Sequence, residues 1–361
     1  MRQSESELGA WINLGLVNSL RPVQFRALLS TFGLPRHILG ASRTQLRRIV
    51  PDAVVDELFS QGREERIART LQWAKSPGNN VITLADDDYP KQLFEITDPP
   101  PLLYVRGDGG LLSATSLAIV GSRSATPQGL SNAEQFARAL SGAGLAVISG
   151  LALGIDAAAH RGGLAAQGST IAVIGTGADI DYPRANARLS EEISSRGAIV
   201  SEFPLGTPPL AANFPRRNRL IAGLSRGVLV VEAALASGSL ITARLAAEQG
   251  REVFAIPGSI HSPVSKGCHA LIKQGAKLVE TAGDVIAELQ GFAPSPATRS
   301  KPHISGALDV LLQHMGYDPC DIGTLSTRSG LTPESVSAML LQLELEGKIG
   351  SLPGGFYQQL M

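Results

Sequence analysis

The stretch LAIVGSRSATPQGLSNAEQFARALSGAGLAVISG, residues 117–150, contains the pattern that predicts the fold. A short aliphatic run that ends in glycine is followed by a helical pattern and then by a second aliphatic run that ends in glycine. Four later runs, TIAVIG, AIVSE, GVLVVEA and EVFAIPG, repeat this pattern with helix-like segments between them. Continuous apolar strands that alternate with helices are typical of a parallel sheet covered on both faces. The sequence therefore predicts a doubly wound α/β domain over residues 116–290.

The regions on either side have a different character. Residues 1–75 carry apolar positions at helical spacing and predict a small helical module. The proline-rich segment that follows ends in the extended run LLYVRG, which predicts an edge strand, so that the α/β domain with this leading segment spans 76–290. Residues 291–303 are rich in proline, serine and alanine and predict a linker. Residues 304–361 have the order helix, turn, helix, turn, helix and glycine-tipped hairpin, which predicts a winged helix.

Composition places the chain among globular proteins of two or three domains. It has 361 residues, of which 43% are hydrophobic and 18% are charged. Apolar runs approaching the roughly 18 residues of a membrane span are absent from the sequence, and its first residues lack the basic-then-apolar order of a secretory signal. Cys268 and Cys320 lie far apart, which argues against a disulfide framework or a metal cluster and favours a reducing compartment. We expect a cytoplasmic protein without a metal ion.

The loops after the predicted strands are the expected ligand sites, because open parallel sheets bind ligands beyond the carboxyl ends of their strands. Glycine allows backbone N–H groups to approach a ligand, and a following helix N-terminus favours negative charge. For any one loop, glycine can equally serve only to make the turn. As a set, the neighbouring loops predict an anion site, and their residues are Gly121–Arg123, Ser149–Gly154, Gly175–Gly177, Glu202–Gly206, Glu232 and Ser237–Ser239.

Arginines concentrate near these loops although the chain carries 32 basic and 32 acidic residues. The stretch FPRRNRLIAG, residues 214–223, predicts a loop that enters a buried helix or strand and holds three of them. Arginine forks match phosphate oxygens, so a group of arginines at one sheet edge indicates a phosphate-binding surface. The alternative is a structural ion-pair network, and Arg219, which precedes the apolar LIAG run, is assigned to the fold. Four arginines are expected to face the same edge: Arg123, Arg184, Arg216 and Arg217.

Other candidate sites are weaker. The sequence has no G-x-x-x-x-G-K-[ST] loop, and Arg123 stands at the second glycine position of a G-x-G-x-x-G fingerprint. Asp156 and His160 lie four residues apart on a predicted helix, where we assign Asp156 to a helix cap and His160 to packing. The predicted winged helix carries two basic and six acidic residues over 305–361, which is unfavourable for phosphate contacts. We therefore expect a protein-contact or structural role for it.

The ordered motifs resemble the DNA-processing protein A (DprA/Smf) family over nearly the whole chain. They are VGSR (120–123), SGLALGID (149–156), GTGADIDYPRAN (175–186), SEFPLG (201–206), FPRRNRLIAGLS (214–225), VVEAALASGSLITA (230–243), AIPG (255–258) and KGCHALIKQGA (266–276). The segment YPKQLFEITDPPPLLYVRG (89–107) matches the part of the family that precedes the sheet. Arg184 stands where many relatives have lysine, and His269 stands where many have asparagine.

The resemblance implies a protein that binds and protects single-stranded DNA in natural transformation and helps load the RecA recombinase. It implies an extended Rossmann-like domain that forms a homodimer, preceded by a helical SAM-like domain and followed by a winged helix, with no cofactor. Aromatic residues make up 5% of the chain, so phosphate contacts should dominate over stacking, to which Phe214 or Tyr182 would contribute. The loops and the resemblance together predict these nucleic-acid-binding residues: Gly121, Ser122, Arg123, Ser149, Gly150, Arg184, Asn186, Phe214, Arg216, Arg217 and Asn218.

Two other functions remain open on the sequence. Nucleoside-monophosphate phosphoribohydrolases have a similar Rossmann-like sheet with a P-G-G-x-G-T-x-x-E motif, but the corresponding region here reads VVEAALASGSLITA. A transcription factor would use the winged helix, which the acidic charge of that region disfavours. We predict a binding protein without catalytic residues.

Overall fold

The N-terminal part of the chain folds into a helical module. The computed structural model describes residues 4–289 and 307–360. The first helix begins after Ser4, whose side chain accepts a hydrogen bond from the Glu7 amide, and the second and third begin with proline at their first position. The helices of this module are α1 (Glu5–Gly15), α2 (Pro22–Phe32), α3 (Pro35–Gly40), α4 (Arg43–Leu46), α5 (Asp52–Leu58) and α6 (Glu64–Ala74).

A nine-stranded sheet follows the helical module. Its strands are β1 (Asn79–Thr83), β2 (Leu102–Gly107), β3 (Ser116–Val120), β4 (Ala146–Ser149), β5 (Thr170–Val173), β6 (Ala198–Ser201), β7 (Gly227–Val230), β8 (Glu252–Ala255) and β9 (Lys277–Leu278). Their order across the sheet is β1-β2-β6-β5-β4-β3-β7-β8-β9. Strands β3 to β9 run parallel, whereas β1 and β2 form an antiparallel hairpin attached to β6. The six apolar runs of the sequence are β3 to β8, which confirms the doubly wound α/β fold. The predicted edge strand is β2, and β1 lies outside it.

Helices cover both faces of the parallel part of the sheet. They are α7 (Pro127–Gly142), α8 (Ile155–Leu164), α9 (Ala187–Arg196), α10 (Asn213–Leu224), α11 (Gly238–Glu248), α12 (Lys266–Lys273) and α13 (Ala282–Glu288). Apolar residues of α10 and α11 bury one face, and those of α7, α8 and α13 bury the other. Helices α7 and α8 approach closely at Gly162, where an added Cβ would lie 2.2 Å from the Glu134 carbonyl oxygen. Glycine at this position therefore permits the helix contact.

The helical module and the sheet edge share one hydrophobic core. Trp11, Leu14 and Leu46 of the module cluster with residues of the hairpin and of the loops after β5 and β6. The residues that the α/β domain contributes are Val81, Leu102, Tyr104, Ala178 and Leu205. Burial of side chains of this size stabilises by about 1.5–3 kcal/mol each, so this shared core fixes the module against the sheet.

A winged helix forms the C-terminal part of the chain. Its elements are α14 (Ala307–Met315), β10 (Cys320–Asp321), α15 (Ile322–Ser329), α16 (Pro333–Leu345), β11 (Ile349–Leu352) and β12 (Phe356–Gln359). Leu311, Leu325, Leu340 and Leu343 are buried in its own small core. This order of elements confirms the predicted winged helix, whereas the predicted linker 291–303 lies outside the described residues.

Candidate nucleic-acid interface

The carboxyl ends of β3 and β7 border an open cleft of about 780 Å³. The chain proceeds from β3 outward to β6 and then returns to place β7 beside β3, so its direction across the sheet reverses between these two strands. Open α/β sheets bind their ligands at such a reversal. The cleft brings together these predicted residues: Gly121, Ser122, Arg123, Phe214, Arg217 and Asn218.

A smaller recess of about 90 Å³ adjoins the cleft. Arg123, Phe214 and Arg217 line both spaces, and Gly150 lines the recess. The predicted residues therefore divide into a group that faces these spaces and a group that does not. Within the described part of the chain, the predicted residues that line neither space are Ser149, Arg184, Asn186 and Arg216.

The stretch FPRRNRLIAG lies within helix α10 rather than in a loop. The apolar end of α10 is buried in the core beneath the sheet, which orients the whole helix. An α-helix has 3.6 residues per turn, so the neighbouring side chains of Arg216, Arg217 and Arg219 point in different directions. The three arginines consequently have separate environments.

Arg217 forms the floor of the cleft. Its side chain is buried, with only 4% of the residue exposed. Nη1 donates a hydrogen bond to the Gly150 carbonyl oxygen at 2.7 Å and another to the carbonyl oxygen of Val173. Burial lowers the pKa of Arg217 to about 10, and the nearby Asp156 carboxylate opposes this shift. Arg217 is therefore charged at neutral pH, where it supplies positive potential from below while it holds the ends of β4 and β5.

Arg216 and Arg219 share the carboxylate of Glu202. Nη2 of Arg216 lies 3.0 Å from Glu202 Oε2, and Nη2 of Arg219 donates to the same oxygen. The Arg219 Nε atom is also 3.2 Å from Asp98 Oδ2. Burial raises the pKa of Glu202, and the two guanidinium groups oppose that shift. An ion-pair network, the alternative considered for the arginines, thus exists here, although half of the Arg216 side chain remains exposed.

Arg123 combines with two aromatic rings at the mouth of the cleft. It is exposed, and its guanidinium carbon lies 5.9 Å from the centroid of the Phe214 ring. The Tyr182 ring centroid lies 5.7 Å from that of Phe214, and 43% of Tyr182 is exposed. A cation within about 6 Å of a ring is attracted to its face. This group offers a cation for a phosphate beside aromatic surfaces on which a base can stack.

The loop after β4 differs from the anion-binding loop expected there, because side chains of α8 occupy its backbone amides. Asp156 Oδ2 accepts hydrogen bonds from the amides of Gly150 at 3.1 Å and Ala152 at 3.4 Å. His160 Nε2 accepts one from the Leu151 amide at 3.2 Å. The assignment of Asp156 to the helix cap was wrong, because Gly154 is the N-cap and the carboxylate binds amides of the preceding loop. His160 is buried, as expected, and also fixes this loop. These three N–H groups therefore already donate hydrogen bonds within the protein rather than to an anion.

Two predicted residues support the same region from behind. The Asn186 amide group donates to the carbonyl oxygens of Leu151 and Ala152 at 2.9 and 3.1 Å. The hydroxyl of Ser149 is buried and donates to the carbonyl oxygen of Ile119 at 2.6 Å. The structure therefore places Asn186 and Ser149 where they support the loop.

His160 has one defined neutral form. The Thr170 hydroxyl donates to the Val147 carbonyl oxygen at 2.7 Å, so it accepts from His160 Nδ1, which lies 2.7 Å away. The proton on Nδ1 leaves Nε2 free to accept from the loop. Burial, together with the charges of Arg217 and Arg161, lowers the pKa of His160 to about 3. The ring is therefore neutral at neutral pH.

The remaining predicted residues lie at the edges of the cleft. Arg184 is exposed in the short turn before α9. Nδ2 of Asn218 lies 3.5 Å from the carbonyl oxygen of Gly238, the first residue of α11. The cleft wall on that side also includes Ser239 and Thr242. The sequence does not mark Thr242 as a candidate site residue, because Thr242 lies inside a helix and does not follow a strand end.

Glu232 has a structural role that its position after β7 did not reveal. Its Oε2 accepts a hydrogen bond from the Thr126 amide at 2.9 Å, and its Oε1 accepts one from the Thr126 hydroxyl at 2.5 Å. This carboxylate thus neutralises the N-terminus of α7. Burial raises the pKa of Glu232, while the contacts with Thr126 oppose the shift. The signal in the sequence was an acidic residue directly after a buried strand.

The described residues form neither a metal-binding group nor a membrane-spanning helix. Among residues 4–289 and 307–360, no group of three or more histidine, cysteine, aspartate or glutamate side chains is arranged to hold a metal ion. Over the same residues, the helices are too short or too polar to cross a bilayer.

Comparison with protein families gives two matches along the chain. Residues 80–290 match the model of DNA recombination-mediator protein A. Residues 295–355 match the model of the DprA winged helix domain. The two matches cover the α/β domain and the C-terminal region separately.

Individual relatives are similar over most of their length. Protein Smf of Escherichia coli is 45% identical over 299 residues, which are 80% of this chain and 80% of that protein. DNA processing protein DprA of Streptococcus pneumoniae is 47% identical over 238 residues, 66% of this chain and 82% of that protein. The X-ray structure of DprA from S. pneumoniae superposes with a TM-score of 0.69 at 39% identity and covers 80% of this chain and 99% of that one. A DprA structure from Helicobacter pylori, described for its single-stranded DNA binding mode, gives 0.53 at 33% identity over 58% of this chain and 95% of that one.

Proposed function

The chain belongs to the DNA-processing protein A (DprA/Smf) family, and on that premise we propose that it binds single-stranded DNA in the cleft between β3 and β7. The observation that carries the proposal is the group of exposed Arg123 and Tyr182 with half-buried Phe214, which lies above the buried charge of Arg217. Phosphate contacts supply most of the affinity of such proteins, and stacked bases add to it without strong sequence preference.

Under the proposal, some of the eleven predicted residues lie beside the DNA strand and the others support the shape of the cleft. Arg123, Arg184 and Arg216 contact phosphates with side chains that solvent reaches, and Gly121, Ser122 and Asn218 border the path of the strand. Phe214 stacks with a base. The others hold the cleft in shape: Ser149, Gly150, Asn186 and Arg217.

We further propose that the protein binds DNA without transforming it. Two carboxylates near the cleft, buried Asp156 and half-buried Glu232, are each engaged, Asp156 with loop amides and Glu232 with Thr126. A general base must reach the proton that it removes, and these internal bonds compete with that role. This arrangement supports a binding protein over a phosphoribohydrolase.

The cellular role that we propose follows from family membership. Incoming single strands would be protected in the cytoplasm during natural transformation, and RecA would be loaded on them. A homodimer formed through the α/β domain would present two clefts to one strand, and linked sites raise the apparent affinity.

Fluorescence anisotropy with labelled oligothymidylate tests the DNA-binding proposal. We expect Arg123→Ala to weaken binding at least about tenfold, because hydrogen bonds to charged groups contribute about 1.5–3 kcal/mol. The slope of log affinity against log salt should fall by about 0.7, the value for one phosphate contact on a single strand.

Arg138→Ala is the matched control. Arg138 is an exposed arginine of α7 that pairs with Glu134 and does not line the cleft. Arg138→Ala removes the same charge as Arg123→Ala, but from outside the cleft. The affinity and the salt slope of this variant should therefore equal those of the wild type. Equal weakening by both variants, or full affinity of Arg123→Ala, would overturn the assignment of the cleft.

A further inference from the structure

A second basic recess lies between the helical module and the α/β domain. Helix α6 and the loop after β6 enclose about 400 Å³, lined by Arg66, Arg69, Thr70 and residues 204–208 among others. We refer to this space as the α6 recess. Resting on the proposed binding of single-stranded DNA, we infer that the α6 recess binds phosphates of the strand after it leaves the cleft.

The charge of the α6 recess favours an anion. Arg66 and Arg69 lie three residues apart on α6, both are exposed, and both line the recess. Arg69 Nη2 lies 2.5 Å from Asp179 Oδ2, yet 62% of the Arg69 side chain remains exposed. Two guanidinium groups thus face one carboxylate, which leaves net positive charge. Guanidinium forks bind phosphate oxygens in pairs.

The recess is built into the fold. Asp179, the partner of Arg69, also accepts a hydrogen bond at 2.8 Å from the amide of Gly206, so it ties the loop to α6. Leu205 of the same loop is buried in the core that the helical module shares with the sheet. Arg66 and Arg69 are therefore held at a fixed place relative to the cleft, although they belong to a different part of the chain.

One loop borders both binding spaces. Residues 204–208 line the α6 recess, and Pro209 and Ala211 of the same loop line the main cleft. A residue spans at most about 3.6 Å, so Pro204 and Ala211 are no more than about 25 Å apart. A strand of several nucleotides bridges that separation, whereas a strand that just fills the cleft does not.

The experiment compares short and long strands on the full chain. Affinity is measured for oligothymidylates of about 4 and about 20 nucleotides, of which the first lies at the lower end of the roughly 4–16 nucleotides that a single-strand-binding domain covers and the second lies above that range. For the double variant Arg66→Ala/Arg69→Ala we expect unchanged affinity for the short strand. Affinity for the long strand should fall about tenfold or more, and its salt slope by about 1.4 for two phosphate contacts.

The double variant Arg43→Ala/Arg47→Ala provides the control. These two arginines belong to the same helical module, are about half exposed, pair with Asp56 and Asp52, and do not line the recess. The double variant Arg43→Ala/Arg47→Ala should bind both strands with the affinity of the wild type. The fluorescence of Trp73, which lies on α6, checks that each variant is folded.

The outcomes separate this inference from the function on which it rests. If Arg66→Ala/Arg69→Ala weakens the binding of both strands equally, or leaves the binding of the long strand unchanged, the inferred role of the α6 recess is wrong while the cleft retains its role. Failure of the wild type to bind either strand overturns the proposed function itself. Loss confined to the long strand and to Arg66→Ala/Arg69→Ala supports the inference.

Discussion

At position 217 one guanidinium satisfies two backbone carbonyls and faces a buried carboxylate, so its replacement should affect folding. Arg217→Ala removes the donor to the carbonyl oxygens of Gly150 and Val173 and the positive charge near Asp156. A buried acceptor left without its hydrogen bond costs about 1–3 kcal/mol, so the two carbonyl oxygens together cost about 2–6 kcal/mol. We expect the free energy of unfolding in urea to fall by about that amount.

The variant Arg216→Ala, at the neighbouring position of the same helix, is the comparison for the stability loss expected of Arg217→Ala. Arg216→Ala leaves Glu202 paired with Arg219, so its free energy of unfolding should change by about 1 kcal/mol or less. Adding Asp156→Asn to Arg217→Ala should recover part of the stability, because the unpaired charge is removed. Equal costs for Arg216→Ala and Arg217→Ala, or strictly additive costs in the double variant, would contradict the electrostatic coupling of Arg217 to Asp156 in the floor.

The sequence predicted that arginines gather at this edge of the sheet and assigned Arg219 to the fold, but it did not predict that Arg216 and Arg217 have different environments. Residue type and strand ends placed Arg123, Arg216 and Arg217 near one another. Their separate environments depend on how α10 is rotated against the sheet, and its buried apolar end determines that rotation. Glu202 and Asp98, which hold Arg219, are distant in sequence, so no local pattern marked them.

The loop after β4 and helix α8 act as a unit that should respond to acid. His160 is neutral in the folded protein, where burial lowers its pKa to about 3, whereas an unfolded histidine titrates near 6.5. Below about pH 6.5 the unfolded chain therefore binds a proton that the folded chain excludes. The contribution of His160 to the free energy of unfolding should therefore fall with decreasing pH, by about 1 kcal/mol per unit between about pH 6 and pH 4.

His160→Gln isolates this contribution, because it keeps a donor and an acceptor but does not titrate. Asp156, Glu202 and Glu232 have raised pKa values and act in the opposite direction, so the comparison of wild type with variant matters more than either curve. The difference in free energy of unfolding should change in favour of the variant as pH falls. Parallel curves from urea titrations at several pH values would show that His160 is not buried as a neutral ring.

Elements with long apolar runs were predictable, and short or polar ones were not. Strands β3 to β7 are buried on both faces and β8 is buried at its carboxyl end, so each contains a continuous aliphatic run. Strand β9 consists of Lys277 and Leu278, both exposed, and has no such signature. It forms because β8 offers an unpaired edge, which is a property of the assembled sheet.

For the molecule as a whole, the sequence indicated a helical module and an α/β domain but not that they share a core. Tyr104 lies on β2 and Leu205 lies in the loop after β6, yet both cluster with Trp11 of α1. Their separation along the chain hides this cluster from any periodicity. The winged helix instead has its own core, and its strands β11 and β12 lie against α7, where Gly350 approaches Pro127 closely.

The shared core predicts that the helical module and the α/β domain unfold together. Leu205→Ala removes a side chain that the α/β domain contributes, and a buried leucine replaced by alanine costs about 2–5 kcal/mol. Both tryptophans of the chain, Trp11 and Trp73, lie in the helical module and report its unfolding by fluorescence. The urea transitions followed by fluorescence and by far-ultraviolet circular dichroism should shift together to lower urea.

The variant Leu343→Ala distinguishes joint unfolding of the helical module and the α/β domain from a general loss of stability. Leu343 is fully buried in the winged helix, so its replacement removes the same side chain from a separate core. We expect the tryptophan transition of Leu343→Ala to coincide with that of the wild type while part of the circular dichroism signal is lost at lower urea. A tryptophan transition that Leu205→Ala leaves in place would mean that the module folds independently. The α6 recess would then lack a fixed position relative to the cleft, because the same packing holds Arg66 and Arg69 beside the loop that borders both.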